Sequence, residues 1–472
     1  MKRASIFWFK RSRGKKGLER PGEVSNRYFI LENIMHDFKA IILAAGLGSR
    51  FGRLTKNNHK SLIKVGNLSI LERLISQLEK YEVKDELARD HQLVPLDLYF
   101  CNNCFHVQLI HVVDPDYLWS DFTFKTGNKK VLVEHMKEEV TKMISFSGIS
   151  GDECVVDVGS NDGTLLKCFQ DKGFKNVVGI DPVNEIAQEA IMNGVNTIVG
   201  YMDSITAEQF LNNNKPAKII TAFNVYAHAD DLTGMTQAIK SILAYDGLFV
   251  FEVSYLFDVI QKMLIGTIFH EHLSYHSVIA MERFLNSLDL QLIHVETAKE
   301  QGGSLIGYVQ HKGGPFQRSN LVMDCISCEK QAGLDGLNTF KILQGKLDFL
   351  KNMINELFKN IKHQDKIIGA YGAARSGTTL LSFFDIGQDV DFIVDDNEEK
   401  HFKYSPGFGI PVLPVSSIYD KNPDYLVILA WMHAETIISK NISFLERGGK
   451  FIKIHPEFEI VDIDSIKMLN NE

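Results

Sequence analysis

Residues 151–190, GDECVVDVGSNDGTLLKCFQDKGFKNVVGIDPVNEIAQEA, constrain this chain more than any other stretch. An apolar run, Cys154–Val158, enters a turn in which Gly159 and Gly163 flank only small or polar residues. A helix follows from near Thr164, and a second strand closes on Asp181. Missing side chains let a ligand lie against the backbone, and the helix aims its first N–H groups at the same spot. An acid closing the next strand is where a ribose diol finds its acceptor. Strand, glycine turn, helix, strand and acid in this order predict a nucleoside-binding half-sheet.

The turn lacks the G-x-G-x-x-G spacing that seats a pyrophosphate. With Asp157 before it and Asn161 and Asp162 inside it, the loop is acidic and suits a cationic ligand. S-adenosylmethionine carries a sulfonium and an ammonium, so it is the expected cofactor. Asp157, Gly159, Asn161, Gly163 and Asp181 are the candidate residues for holding it.

At 472 residues the chain has room for two to four domains. A net charge of −8 gives no general pull toward nucleic acid, although the first twenty residues are basic. The longest apolar stretch in that tail, Ile6 to Phe9, is too short for a signal-peptide core or a membrane span. The six cysteines form no secreted framework, so the expected home is the reducing cytoplasm, with no membrane and no nucleic-acid partner. The oligomeric state stays open.

The chain divides into six expected parts. Residues 1–36 are the basic tail. Residues 37–83 hold a β-rich run, the turn Gly46-Leu47-Gly48-Ser49-Arg50, then Lys60 and a helix over 69–81. This stretch resembles the opening of the sugar-phosphate nucleotidyltransferases, but His59 stands where that family usually has proline, and the pattern stops after about forty-five residues. A remnant, inactive in nucleotidyl transfer, is the expectation, and a plain folded βα cap is the simpler reading. Residues 84–148 place two short strands around Cys101-Asn102-Asn103-Cys104, which is half of a tetrahedral zinc site. His91, His106 or the distant pair Cys325 and Cys328 would have to complete it, and no cysteine precedes Cys101.

Residues 149–318 alternate strand and helix as a doubly wound sheet, with ligands expected at the carboxyl ends of its strands. Residues 319–365 read as a helical connector. Residues 366–472 form a second α/β unit, in which strand Lys366–Tyr371 runs into the glycine turn 372–377 and then helix Thr378–Phe384. Gly372, Arg375 and Gly377 suit a diphosphate, although a packing turn fits them equally well.

Two polar clusters follow the nucleoside strands. One strand ends in FNVYAHADD and presents Asn224 and His228 at the carboxyl edge. Further on, GTIFHEHLSYHS sets His270, Glu271, His272, Tyr275 and His276 within seven residues. On a strand the H-E-H spacing alternates faces, and no helical His pair with a distant third ligand is evident, which favours acid–base work over zinc. Caps and core hydrogen bonds are the plainer role for any single member.

GSNDGTLL, NVYAHADD, HEHLSYHS, GGSL (Gly302–Leu305), GAYGAARSGTTLL, VDDNEEK, SPGFGIPV and LAWMHAE resemble, in order and spacing, the sugar C-methyltransferases of deoxysugar pathways. The resemblance runs from about residue 93 to 460. It implies a class I methyltransferase sheet followed by a second, Rossmann-like α/β domain, with a zinc-binding segment in front. It implies a nucleotide-linked 4-keto-6-deoxy sugar held between the two domains and methylated at carbon 3. By the same resemblance His272 is the base, with Glu271 beside it, and Asn224 is an active-site asparagine. Phe269, Phe122 and Phe124 stand where the family has tyrosines, and the first cysteine pair of its zinc site is missing. An O- or N-methyltransferase on the same scaffold, or a non-catalytic nucleotide-sugar-binding fusion, remain the alternatives.

Overall fold

A computed structural model describes residues 64–65, 68–69, 94–113 and 124–469. The chain divides into two units, residues 1–75 and 76–472. In the first, strands β1 (Lys64–Val65) and β2 (Leu68–Ser69) pair antiparallel. The remainder of segment 37–83, with its Gly46–Arg50 turn, lies outside the described residues, as do His91 and Phe122.

The second unit is built on a seven-stranded sheet. Its strands are β5 (Cys154–Val158), β6 (Asn176–Asp181), β7 (Asn196–Val199), β8 (Ala217–Phe223), β9 (Leu243–Ser254), β11 (Leu290–Ala298) and β12 (Ser304–His311). Their order across the sheet is β7-β6-β5-β8-β9-β12-β11, and β12 runs antiparallel to both neighbours. This is the class I methyltransferase arrangement. All five side chains of β5 are buried, as a strand covered on both faces requires. Helices α1 (Lys130–Ser147) and α2 (Thr164–Asp171) cover one face, where Val140, Met143, Leu166 and Phe169 meet Val155, Ile219 and Val250. On the other face, α3 (Val278–Ser287) contributes Val278, Ile279 and Leu285 to a core with Val156, Ile220 and Phe251. Strand order reverses between β5 and β8, and a ligand crevice is expected outside the carboxyl ends there.

The cysteine hairpin, β3 (Leu98–Phe100) and β4 (Val107–Leu109), adds β10 (Ser274–Tyr275) as a third strand. The expected single connector is instead two helices, α4 (Leu321–Gln331) and α5 (Leu337–Lys362). The break falls at Gly333, whose φ of 75° only glycine adopts readily.

The second α/β sheet has the order β15-β14-β13-β16-β17-β18. Strands β13 (Ile368–Tyr371), β14 (Phe392–Asp395), β15 (Val412–Pro414), β16 (Tyr425–Ile428) and β17 (Lys450–Lys453) are parallel, and β18 (Glu459–Val461) is antiparallel. Its core includes Val259, Leu264 and Ile265, which reach across from the segment just before the histidine cluster. Among the described residues no helix is long and apolar enough to cross a membrane.

Candidate active site

The β5–α2 turn uses left-handed backbone at Gly159 (φ 69°), Asn161 (φ 51°) and Gly163 (φ 79°). A Cβ at Gly159 would run into the Val225 side chain, so glycine is needed for both conformation and space. Asp181 fixes the turn from the next strand. Its Oδ2 accepts from Asn161 N–H at 2.8 Å and its Oδ1 from Val183 N–H at 2.9 Å. Burial pushes the Asp181 pKa up, against those two hydrogen bonds.

Two expectations change here. Asp157 does not line the loop: it is 4 % exposed, takes a 2.6 Å hydrogen bond from the Thr221 hydroxyl, and burial raises its pKa to about 7. The cause is strand pairing, since Asp157 lies opposite Thr221 of β8. The Asn161 side chain is committed to a latch across residues 124–127, accepting from Thr126 N–H at 2.9 Å and donating to the Phe124 carbonyl at 2.9 Å. Asp162 completes the latch by accepting from Gly127 N–H at 2.9 Å. This latch was not read from the sequence; Gly127, where a Cβ would crowd the Asp162 carboxylate, was its only signal. The turn 159–163 carries the Asp162 carboxylate and no cation, which fits a positively charged methyl donor.

Of the histidine cluster only Tyr275 lies on a strand, β10, and the H-E-H run itself is a turn, so the alternating-face argument fails. A 3-10 turn, Ile265–Thr267, leads into a tight turn closed by His272 N–H donating to the Phe269 carbonyl at 2.9 Å. Leu273 N–H then donates to the Ala227 carbonyl at 3.0 Å, binding this segment to the one that begins at Asn224. His272 is 8 % exposed, and its Nδ1 lies 2.9 Å from the Thr267 carbonyl. A carbonyl only accepts, so Nδ1 carries the proton and the neutral ring keeps its lone pair on Nε2. Burial lowers the His272 pKa to about 4, against that hydrogen bond. The ring packs tilted against Phe269, with centroids 4.1 Å apart, and stacks on His228 at 5.2 Å.

Asn224 opens the companion segment with φ 58°, its N–H held by the Glu252 carbonyl at 2.8 Å. Glu271 is half-buried within the tight turn. His270 faces the other way, with Nε2 3.1 Å from the Val94 carbonyl. His272, His228 and the Asn224 segment are therefore brought together, and His270 is not among them.

Cys101 is exposed and Cys104 half-buried, both free. Among the described residues no third ligating side chain completes a cluster with them, and His106 Nε2 is 3.2 Å from the Ser274 hydroxyl instead. Cys325 and Cys328 lie on α4.

In the second domain Gly372 has φ 102° and packs against Ala430. Helix α6 (Arg375–Phe384) starts three residues earlier than expected, so Gly377 lies in its first turn; the side chain of Arg375 is outside the described part. Asp395, ending β14, accepts from Ala373 N–H at 2.6 Å, and Lys400 Nζ donates to the Ala373 carbonyl at 3.0 Å. Lys400 was not singled out in the sequence.

Residues 132–295 match a methyltransferase domain family, and residues 299–456 match the C-methyltransferase C-terminal domain. C-methyltransferase NovU of Streptomyces niveus is 30 % identical over 379 residues, covering 80 % of this chain and 90 % of that protein. Among solved structures, magnesium protoporphyrin IX methyltransferase from Synechocystis PCC 6803 with bound S-adenosylhomocysteine covers 41 % of this chain and 90 % of its own, at 16 % identity and a TM-score of 0.31. The PH0226 protein from Pyrococcus horikoshii OT3 covers 41 % of this chain and 98 % of its own, at 15 % identity and a TM-score of 0.34. With its seven-stranded sheet and both domain matches, the chain belongs to the C-methyltransferase family and is an S-adenosylmethionine-dependent enzyme.

Proposed function

We propose that the substrate is a nucleotide-linked 4-keto-deoxysugar and that His272 removes the proton on the carbon beside the ketone. The observation that carries this reading is the His272 ring, neutral, buried, anchored through Nδ1 and left with a lone pair on Nε2. S-adenosylmethionine supplies an electrophilic methyl on its sulfonium. As the C–H bond breaks, its electron pair moves to the ketone oxygen and the proton to Nε2. The enolate carbon then bonds to the methyl while the carbon–sulfur bond opens. Burial keeps the base unprotonated throughout the neutral range. Phe269 offers no phenol to the developing oxyanion, so Asn224 and His228 take that task, with Glu271 tuning the segment.

In this reading residues 149–318 bind the donor over Gly159, Gly163 and Asp181, with Asn161 shaping the turn through its latch. Residues 366–472 hold the sugar nucleotide, with its diphosphate at Gly372, Arg375 and Gly377 on the helix start. The Cys101 and Cys104 pair is left without a catalytic task. The test is incubation with the donor and a panel of 4-keto nucleotide sugars, followed by mass spectrometry and NMR. A product heavier by one methylene unit, with its methyl on the carbon beside the ketone, is expected. A methyl on oxygen or nitrogen would contradict the enolate route. No product from a chain that still binds donor would support the non-catalytic alternative.

A further inference from the structure

We propose that His135, Glu252 and Glu300 form a binding site for a divalent transition-metal ion. The three come from separate elements: α1, the end of β9, and the 3-10 turn Glu300–Gly302 that precedes β12. One ligating atom from each lies within 4.8 Å of the others. His135 Nε2 is 2.8 Å from Glu252 Oε2, and His135 Nδ1 is 3.6 Å from Glu300 Oε2. An ion takes only one nitrogen of the ring, so its donor atoms, now within 4.8 Å of one another, would settle about 3–4 Å apart as the His135 proton shared with Glu252 leaves.

The independent pointer is Glu252. Its side chain is wholly buried, and Oε1 has no hydrogen-bond partner. A carboxylate oxygen left in that state is costly unless something positive meets it. Strand pairing sets Glu252 opposite Phe223, and the Phe223 ring closes one side with its centroid 6.4 Å from that of His135. The other side opens to solvent through a cleft lined by Lys130, Val131, Glu134, Glu138 and the ligands His135 and Glu300. Carboxylates outnumber cations there, which draws a cation in, and the opening gives it a path and water ligands. One imidazole nitrogen with two carboxylates suits an ion of the zinc or manganese kind better than a thiophilic one.

The ion would tie the Glu300 turn to the sheet. Gly302 in that turn packs on Leu264 and Trp431, so the tie fixes one wall between the two sheets. The inference does not rest on the identity of the base. Full-length protein stripped with chelator is titrated with Co²⁺ and followed by visible absorption and by melting temperature. One equivalent should bind with nitrogen and oxygen ligand-field bands and raise the melting temperature. Glu300→Gln, whose side chain is partly exposed, should fold normally yet bind about tenfold or more weakly, and the buried His135→Gln should bind as weakly with some loss of stability. No saturable binding to the parent protein would overturn the site. So would a thiolate charge-transfer band, which assigns the ion to Cys101 and Cys104, or parental affinity in both variants.

Discussion

His272 and His276 are four residues apart in the chain and both buried, yet their surroundings give them opposite prospects. His272 has its Nδ1 anchored, whereas neither ring nitrogen of His276 has a partner. His272→Ala should lower kcat by about 10²–10⁴-fold while the calorimetric affinity for S-adenosylmethionine stays unchanged. Because burial lowers its pKa to about 4, the acid limb of kcat/KM should fall near there and not at the ordinary imidazole value of 6.5. For His276, burial drives the pKa well below 6.5, with the neighbouring His106 and His272 acting in the same direction. The folded chain then binds fewer protons than the unfolded one below pH 6.5, so this group costs stability as pH falls, at about 1.4 kcal/mol per pH unit. His276→Phe packs between the same neighbours, His106 and Tyr226, without an orphaned polar atom. Its melting temperature should exceed the parent's by a margin that widens from pH 7 to pH 5. A constant margin would show that His276 does not titrate as described.

At the scale of elements, the β5–α2–β6 unit was legible because its signals are local: an apolar run, two glycines, a helix start and an acid. Gly159→Ala tests that turn. The left-handed backbone costs about 1–2 kcal/mol, and the clash with Val225 adds to it, so donor affinity should drop with stability. Gly148→Ala, also left-handed but with open space around the added methyl, should lose stability alone. What the sequence concealed is set by partners far along the chain. Asp157 reads as a loop acid until Thr221 is seen beside it. The H-E-H run reads as a strand until the Leu273 N–H is seen bonded to Ala227. His135 and Glu252 are 117 residues apart, and nothing in either segment names the other.

Across the whole molecule, the segment carrying His272 is wedged between two cores. Val259, Leu264 and Ile265 pack with the second sheet, while Tyr275 and Leu256 belong to the cysteine-hairpin core. Gly266 N–H is 3.3 Å from His455 Nε2, and a Cβ on Gly266 would strike the Trp431 indole. Trp431→Ala should therefore cost about 3–5 kcal/mol and lower kcat by about tenfold or more, though Trp431 lies on the second domain. Donor affinity should hold, since the β5–α2 turn is built from other elements. The two strand-turn-helix units, each now seen on its own sheet, were legible in the sequence, but the packing of the His272 segment against the second sheet was not.

The proton removal proposed for His272 can be followed without methyl transfer. Protein saturated with S-adenosylhomocysteine is mixed with a 4-keto nucleotide sugar in D₂O, and loss of the proton signal beside the ketone is read by NMR. The parent protein should exchange that proton and His272→Ala should not; exchange that continues unchanged in the variant would contradict the assignment.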